Sequence, residues 1–113
     1  MAITHERLEM GQVSDTVAEI YKPETSPSKN GLVKTILLHN THTTNVTVTL
    51  HHDAQSGTPS AANIFLKVTL IPDETFEYAV GHIFAVANAD NIEAVATEDD
   101  VVNYFIFGAE EDA

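Results

Sequence analysis

Residues 31–52 read GLVKTILLHNTHTTNVTVTLHH. In the second half of this stretch, Val46, Val48 and Leu50 alternate with polar residues, and a period of two places them on one face of a strand. The first half, Leu32 to His39, is aliphatic and β-branched, and the Asn- and Thr-rich segment between the halves has turn composition. The stretch therefore predicts a long β-hairpin, with the remaining strands pairing with it or packing over its apolar face.

Alternating or apolar runs elsewhere in the chain predict further strands. These runs are Val13 to Tyr21, Asn63 to Ile71, Thr75 to Val80, Ile92 to Thr97 and Val101 to Phe107. Turn residues separate them, and Asp90 and Asn91 argue against a helix over Phe84 to Val95. The pattern predicts an all-β fold, an antiparallel β-sandwich or barrel of jelly-roll type with about eight strands.

The length of 113 residues fits one domain, so we expect residues 1–113 to form a single jelly-roll domain. Residues 1–12 have poor periodicity and are compatible with an edge strand or with an extended N-terminal arm. Gly108 is expected to end the last strand and the acidic tail after it to fray. The N-terminus lacks the basic head and apolar run of an export signal.

Charge and cysteine content exclude several classes of function. Lys and Arg number 5 against 17 Asp and Glu, for a formal net charge of -12. This charge repels phosphate backbones and anionic lipids, so we expect no nucleic-acid partner and no membrane partner. The chain has no cysteine, which excludes disulfides, thiolate metal sites and a cysteine nucleophile.

The six histidines raise the question of a metal site, because imidazole is a common ligand of transition metals. In the predicted hairpin His39 and His42 lie at the loop end, about 15 Å from His51 and His52 at ~3.3 Å per residue. Adjacent His51 and His52 would also point to opposite faces. The sequence therefore predicts solvated histidines and no metal.

The acidic residues Asp90, Glu93 and 98–100 match no EF-hand spacing, and turn and surface charge account for them. The chain contains no nucleophile elbow, phosphate-binding loop, zinc signature or dinucleotide fingerprint. We therefore expect no catalytic residues, no cofactor and no enzymatic activity.

A surplus of apolar side chains is the more informative feature. In the last predicted strand, Phe105 and Phe107 lie on the face opposite Val102, Tyr104 and Ile106. In the run Asn63 to Ile71, Phe65 and Ile71 share a face with Lys67 and Thr69. One-sided sheets alternate more strictly than this. We expect Phe65, Ile71, Phe105 and Phe107 to form an interface. The alternative is that loops such as Asp53 to Asn63, or the sheets themselves, cover these faces within the chain.

Short motifs that run along most of the chain carry a family resemblance. They are Glu6-Arg7-Leu8 with Gly11-Gln12, Ile20-Tyr21, Val33 to Leu38, Asn40-Thr41, Val46 to Leu50, Pro72 to Glu77, Ala89 to Ala94 and Val102 to Gly108. In these motifs the chain resembles small jelly-roll virion structural proteins of tailed bacteriophages, of the head-decoration or cement type. It departs from them in its longer loop over residues 23–30, in Ala89 where a Gly is usual, and in Phe105 and Phe107, where relatives tend to be polar.

The resemblance implies a non-enzymatic capsid decoration or cement subunit that oligomerises and stabilises joints between capsid proteins. It implies a homo-oligomer, a homotrimer before a dimer, with the major capsid protein or another virion protein as partner. The expected location is the capsid exterior, after synthesis in the host cytoplasm. An adaptor in the tail, baseplate or fibre is the alternative, and a carbohydrate- or receptor-binding module is the alternative from another class. The absence of Trp and the presence of only 3 Tyr disfavour the carbohydrate module.

Overall fold

The computed structural model describes residues 3–24, 28–54, 57–85 and 90–112, with residues 3–6 and 80–85 described by their backbone alone. The predicted turn residue Ala89 and the first two residues of the predicted arm lie outside these ranges. The strands are β1 (Ile3–Gln12), β2 (Ala18–Tyr21), β3 (Lys29–Asn40), β4 (Val46–Ala54), β5 (Ile64–Leu70), β6 (Thr75–Ala85), β7 (Asp90–Ala96) and β8 (Val102–Asp112). A short 3₁₀ turn, Ala61–Asn63, precedes β5.

The eight strands form two four-stranded antiparallel sheets. Sheet A has the order β1-β8-β3-β6 and sheet B has the order β2-β7-β4-β5. The chain passes from one sheet to the other at every connection except β4 to β5. This wrapping is the strand order of a jelly roll. The prediction of an all-β antiparallel sandwich with about eight strands is confirmed.

The predicted hairpin within residues 31–52 is wrong. Strand β3 pairs with β6 and β8 in sheet A, whereas β4 pairs with β5 and β7 in sheet B. Alternation in a sequence identifies which side chains share a face, but it does not identify the strand that supplies the hydrogen bonds. The two halves of the stretch therefore face each other across the core instead of lying side by side.

One core fills the space between the sheets. Sheet A contributes Val33, Ile36, Leu38, Val102, Tyr104 and Ile106, and sheet B contributes Val46, Val48, Leu50, Leu70, Ile92 and Ala94. These residues come from alternate positions of each strand, as a sandwich requires, except that a β-bulge puts Val33 and Ile36 three positions apart. The strand residues that lie between consecutive core residues point to the outer face of each sheet.

The buried side chain of Asn40 ties the two sheets together where the chain leaves β3. Its amide nitrogen lies 3.1, 3.0 and 3.2 Å from the carbonyl oxygens of Thr44, Leu70 and Ile71. Its side-chain oxygen accepts the backbone N–H of His42 at 2.9 Å. The side-chain amide of Asn40 is therefore hydrogen-bonded both to the backbone of the loop between β3 and β4 and to the backbone at the end of β5.

Three strand boundaries differ from the sequence prediction. Of the predicted strand Val13 to Tyr21, only β2 is a strand, and β6 continues through Gly81 to Ala85. Strand β8 continues through Gly108 to Asp112, so the predicted end at Gly108 and the frayed tail are wrong. A Cβ at residue 108 would overlap the carbonyl oxygen of Leu32, so Gly108 permits the close approach of β8 to β3.

The end of β8 is held by pairing and by side chains. Residues 108–111 pair with β1 on one side and 109–112 pair with β3 on the other. The Lys29 ammonium lies 3.1 Å from Asp112, and the Tyr21 hydroxyl donates to Glu110 at 2.7 Å. The N-terminal segment, for which the sequence left strand and arm open, is an edge strand in this chain.

Replacing Asn40 by Ala is expected to destabilise the fold by about 1–3 kcal/mol, because buried carbonyl oxygens at the crossing lose their donor. Urea unfolding followed by circular dichroism measures this change. Asn45→Ala, at an exposed position of the same loop, is the control and is expected to change the free energy of unfolding by less than about 0.5 kcal/mol. Equal stabilities of the two variants would contradict the role given to Asn40.

Candidate functional site

The outer face of sheet A carries apolar side chains that the sandwich core does not use. We call four of them, Met10, Leu37, Phe105 and Phe107, the outer apolar face. Leu37, Phe105 and Phe107 each lie between two buried residues of their strand, so strand alternation directs their side chains outward. Met10 is paired directly with Phe105 and lies on the same side.

The register brings the members of the outer apolar face together from three strands. Met10 of β1 pairs with Phe105 of β8, and Phe105 pairs with Leu37 of β3. The rings of Phe105 and Phe107 are stacked, with centroids 6.5 Å apart and an angle of 8° between their planes. The result is a continuous apolar strip across the middle of the sheet.

This strip remains partly in contact with solvent. Met10 is 44% exposed, and Leu37, Phe105 and Phe107 are each only partly buried. The inner faces of the two sheets meet each other, and no third layer of strands or helices covers sheet A in the part of the chain that the structure describes. An apolar strip at this position is a typical protein-protein interaction site.

The sequence offered the Asp53 to Asn63 loop as a cover, and in the structure its residues 57–63 are hydrogen-bonded to sheet B. Within residues 57–63, the hydrogen bonds to other described residues stay inside the loop or reach β4. The contact with β4 joins His51 Nδ1 and Asn63 Oδ1 at 2.6 Å. These residues therefore cover part of the opposite sheet and leave the outer apolar face open.

The four sequence-predicted interface residues do not form one surface. Phe105 and Phe107 lie together, but Phe65 is on β5 in the other sheet and Ile71 follows the end of β5. The prediction that Phe65 shares an outward face with Lys67 and Thr69 is wrong. A β-bulge opposite Leu50 and His51 interrupts the alternation at residue 65.

Phe65 packs at the edge of the core instead. Its ring contacts the rings of His52 and Tyr78, with centroids at 6.4 and 6.0 Å. Ile71 is 58% exposed beside the turn at Pro72 and Asp73, where Asp73 has a positive φ of 61°. It is an isolated exposed side chain, and its place in an interface stays a prediction.

Sequence reasoning missed Leu37 and Met10. The signal for Leu37 was present, because three consecutive aliphatic residues, Ile36 to Leu38, must place one on the face opposite the other two. Met10 carried no such signal. Its position follows from the pairing of β1 with β8, which connects the two ends of the chain.

The outer face of sheet B is mostly polar and acidic, although Ile64 and Val95 also lie on it. Around the buried His51 it brings together Asp53, Glu93, Asn91 and Glu19. Asn91 donates to Glu19 at 3.1 Å, whereas Asp53 Oδ2 and Glu93 Oε1 are buried without a hydrogen-bond partner among the described residues. Burial, and after it the neighbouring Asp53 carboxylate, raises the pKa of Glu93, because a proton relieves both the desolvation and the repulsion.

This acidic group and the histidines are the candidate ligands for a metal ion. Among the described residues, no three His, Asp or Glu side chains are arranged to hold an ion. The side chains of His39 and Thr75 are hydrogen-bonded at 2.8 Å in sheet A, whereas His51 lies in sheet B. The distance of about 15 Å predicted between the two pairs of histidines assumed a hairpin that the structure does not contain. The residues of the acidic run 98–100 lie in the exposed turn before β8.

A pocket of about 360 Å³ opens between the edges of β1 and β2. It is lined by Glu9, Glu19, Ile20, Tyr21, Lys22, Pro23, Glu24 and Tyr104. Burial, and then the Glu9 carboxylate, raises the pKa of Tyr104, which keeps its hydroxyl neutral. The described lining contains no histidine, serine or cysteine.

Stacking platforms for sugar rings are not present at the tyrosines. Tyr21 and Tyr104 are buried, and Tyr78 packs partly against the core.

Within the described ranges, no helix has the length and apolar character needed to cross a bilayer.

Comparison with known proteins gives structural neighbours only. No protein-family profile matches the sequence, and no curated protein matches it. One similar structure comes from the Bacillus endospore appendages, which are disulfide-linked pili, with a TM-score of 0.54 and 15% identity over 97% of this chain and 88% of that one. Another is that of the virus-like particle of the Macrobrachium rosenbergii extra small virus, with a TM-score of 0.52 and 9% identity over 100% of this chain and 81% of that one. At these identities the likeness establishes the shared fold.

Glu93→Gln is expected to raise the free energy of unfolding at neutral pH. The folded-state pKa of Glu93 lies above its ordinary value of 4.5, so the folded protein favours the protonated form and ionisation lowers stability as pH rises through the folded pKa. Glutamine removes that cost. Urea unfolding at neutral pH, and again well below pH 4.5, where Glu93 is protonated in both the folded and the unfolded state, should show a gain that disappears in acid.

Glu98→Gln, in the exposed turn before β8, provides the matched control for the same chemical change. It is expected to leave stability nearly unchanged at both pH values. If Glu93→Gln behaved like Glu98→Gln at neutral pH, the electrostatic description of the acidic group would be wrong.

Proposed function

We propose that this protein is a non-enzymatic structural subunit of a virion, a capsid decoration or cement protein that associates through the outer apolar face of sheet A. The observation that carries the proposal is the stacked pair Phe105 and Phe107 beside Leu37 and Met10, held on a rigid sheet and left partly in water. A strip of this kind gains free energy when a second surface covers it.

The mechanism is mass action. A subunit that binds across a joint between capsid proteins binds the assembled state and not the separated one, so it shifts the equilibrium toward assembly. Burial of each large apolar side chain contributes up to about 1.5–3 kcal/mol when it is fully exposed beforehand, and less for the partly covered rings here. An oligomer that contacts several capsid proteins at once binds more stably than one subunit, because its contacts are linked.

Two further observations support a structural role. The sequence motifs resemble those of tailed-phage virion proteins, and the similar folds come from a viral particle and from pili. Because one fold hosts many functions, these likenesses support the proposal and do not carry it. Unlike the disulfide-linked pili, this chain has no cysteine, so its own assembly would not use disulfides.

The proposed partners are other copies of the chain and the major capsid protein or another virion protein. The proposed location is the capsid exterior, after synthesis in the host cytoplasm. The formal net charge of -12 opposes self-association at low salt and favours a partner with positive charge. Association between copies should therefore strengthen as salt concentration rises.

Phe107→Asp is expected to weaken self-association by about tenfold or more, because it places a charge in the middle of the apolar strip. The fold should persist, since the side chain points away from the core. Sedimentation velocity over a concentration series measures association, and circular dichroism melting checks the fold. Binding of each variant to isolated phage heads and to isolated tails, measured by co-sedimentation, tests the location.

Thr69→Asp is the matched control, with the same added charge at an exposed strand position on the outer face of sheet B. It should associate like the unmodified protein. Equal association of the two variants would refute the proposed surface. Binding to tails but not to heads would replace the capsid role with that of a tail adaptor.

A further inference from the structure

Two opposite charges flank the outer apolar face at its two edges. Arg7 lies on β1 and pairs with Phe107, and Glu77 lies on β6 and pairs with Leu37. Both side chains are exposed, and β1 and β6 are the edge strands of sheet A. Three strand spacings separate the two edges, about 14 Å at ~4.8 Å each, so these charges cannot pair within one chain.

We infer that a second copy of the chain docks on the outer apolar face about a two-fold axis parallel to the strands, so that Arg7 of each copy meets Glu77 of the other. This inference rests on the proposed self-association and adds the geometry of the interface. A half-turn about such an axis lays β1 of one copy over β6 of the other. It also lays β8, with Phe105 and Phe107, over β3 and Leu37.

The positions of Arg7 and Glu77 favour a two-fold axis parallel to the strands over one perpendicular to them. A two-fold axis perpendicular to the strands would lay β1 over β1 and β6 over β6, which would bring like charges to the same edge and cost free energy. The parallel axis instead places Arg7 over the position of Ala79, which pairs with Thr35 in the same row as Phe107. Glu77 is one pleat farther along β6, about 7 Å, within reach of an arginine side chain.

The shape of the surface favours two copies over three. A sheet face covers one other sheet face most completely, and the same patch on both partners is the signature of a two-fold contact. Three such faces around a common axis would each meet two neighbours along an edge only. The four strands of sheet A have 10, 12, 11 and 11 residues and together present roughly 700 Å² per copy, near the low end for a specific interface, so the dimer should be weak and concentration-dependent.

Charge reversal tests this arrangement. Arg7→Glu and Glu77→Arg should each raise the dissociation constant about tenfold, because each affects two contacts per dimer. The double variant restores both contacts with reversed sign and should return within about threefold of the unmodified protein. Sedimentation velocity over a concentration series gives the constants, and melting curves check that each variant folds.

The Glu77→Arg variant separates a specific contact from general repulsion. It moves the formal net charge from -12 to -10, so general repulsion predicts tighter association, whereas the inferred contact predicts weaker association. Glu98→Arg has the same charge change in the exposed turn before β8 and should associate as tightly as the unmodified protein or more tightly.

The outcomes distinguish this inference from the proposed function. If Phe107→Asp disrupts association but the double variant is as weak as the single ones combined, the two-fold arrangement is wrong and the surface stands. A trimer mass at high concentration would also overturn the arrangement. If Phe107→Asp and all charge variants associate like the unmodified protein, both proposals fail.

Discussion

Two packed sheets can remove only one face of each sheet from water. In sheet B the outer face is mostly polar, because β4 carries Thr47 and Thr49 there between buried aliphatic residues, although Ile64 and Val95 also lie on this face. In sheet A the two central strands, β3 and β8, carry apolar side chains in both directions. The sandwich covers the inner set, and the outer set of Leu37, Phe105 and Phe107 is left to another surface. The proposed function follows from this difference between the sheets.

The rigidity of that surface comes from the inside of the molecule. Strand β8 is paired on both sides along most of its length, and its inward residues Tyr104 and Ile106 are buried in the core. Asn40 ties the end of β3 to the turn after β5 and so holds sheet A against sheet B. A surface built on paired strands loses little conformational freedom when it is covered, which favours binding.

The sequence predicted the sides of the strands better than their partners. Alternation placed Val46, Val48 and Leu50 in the core and Phe105 and Phe107 outside it, because a period of two depends only on neighbours in the chain. The hairpin, the position of Phe65 and the contribution of Met10 depended on pairing between distant strands and on a bulge. Local composition does not encode these features, so the candidate surface was only half predicted, and Leu37 was overlooked although its neighbours signalled it.

The central claim is that copies of the chain cover the outer apolar face when they associate. Nuclear magnetic resonance spectra recorded over a concentration series test it most directly, residue by residue. The account predicts that signals of Leu37, Phe105 and Phe107 shift with concentration, while those of Thr49 and Thr69 on sheet B stay constant. Concentration-dependent shifts confined to sheet B, with the signals of Phe105 and Phe107 unchanged, would contradict it.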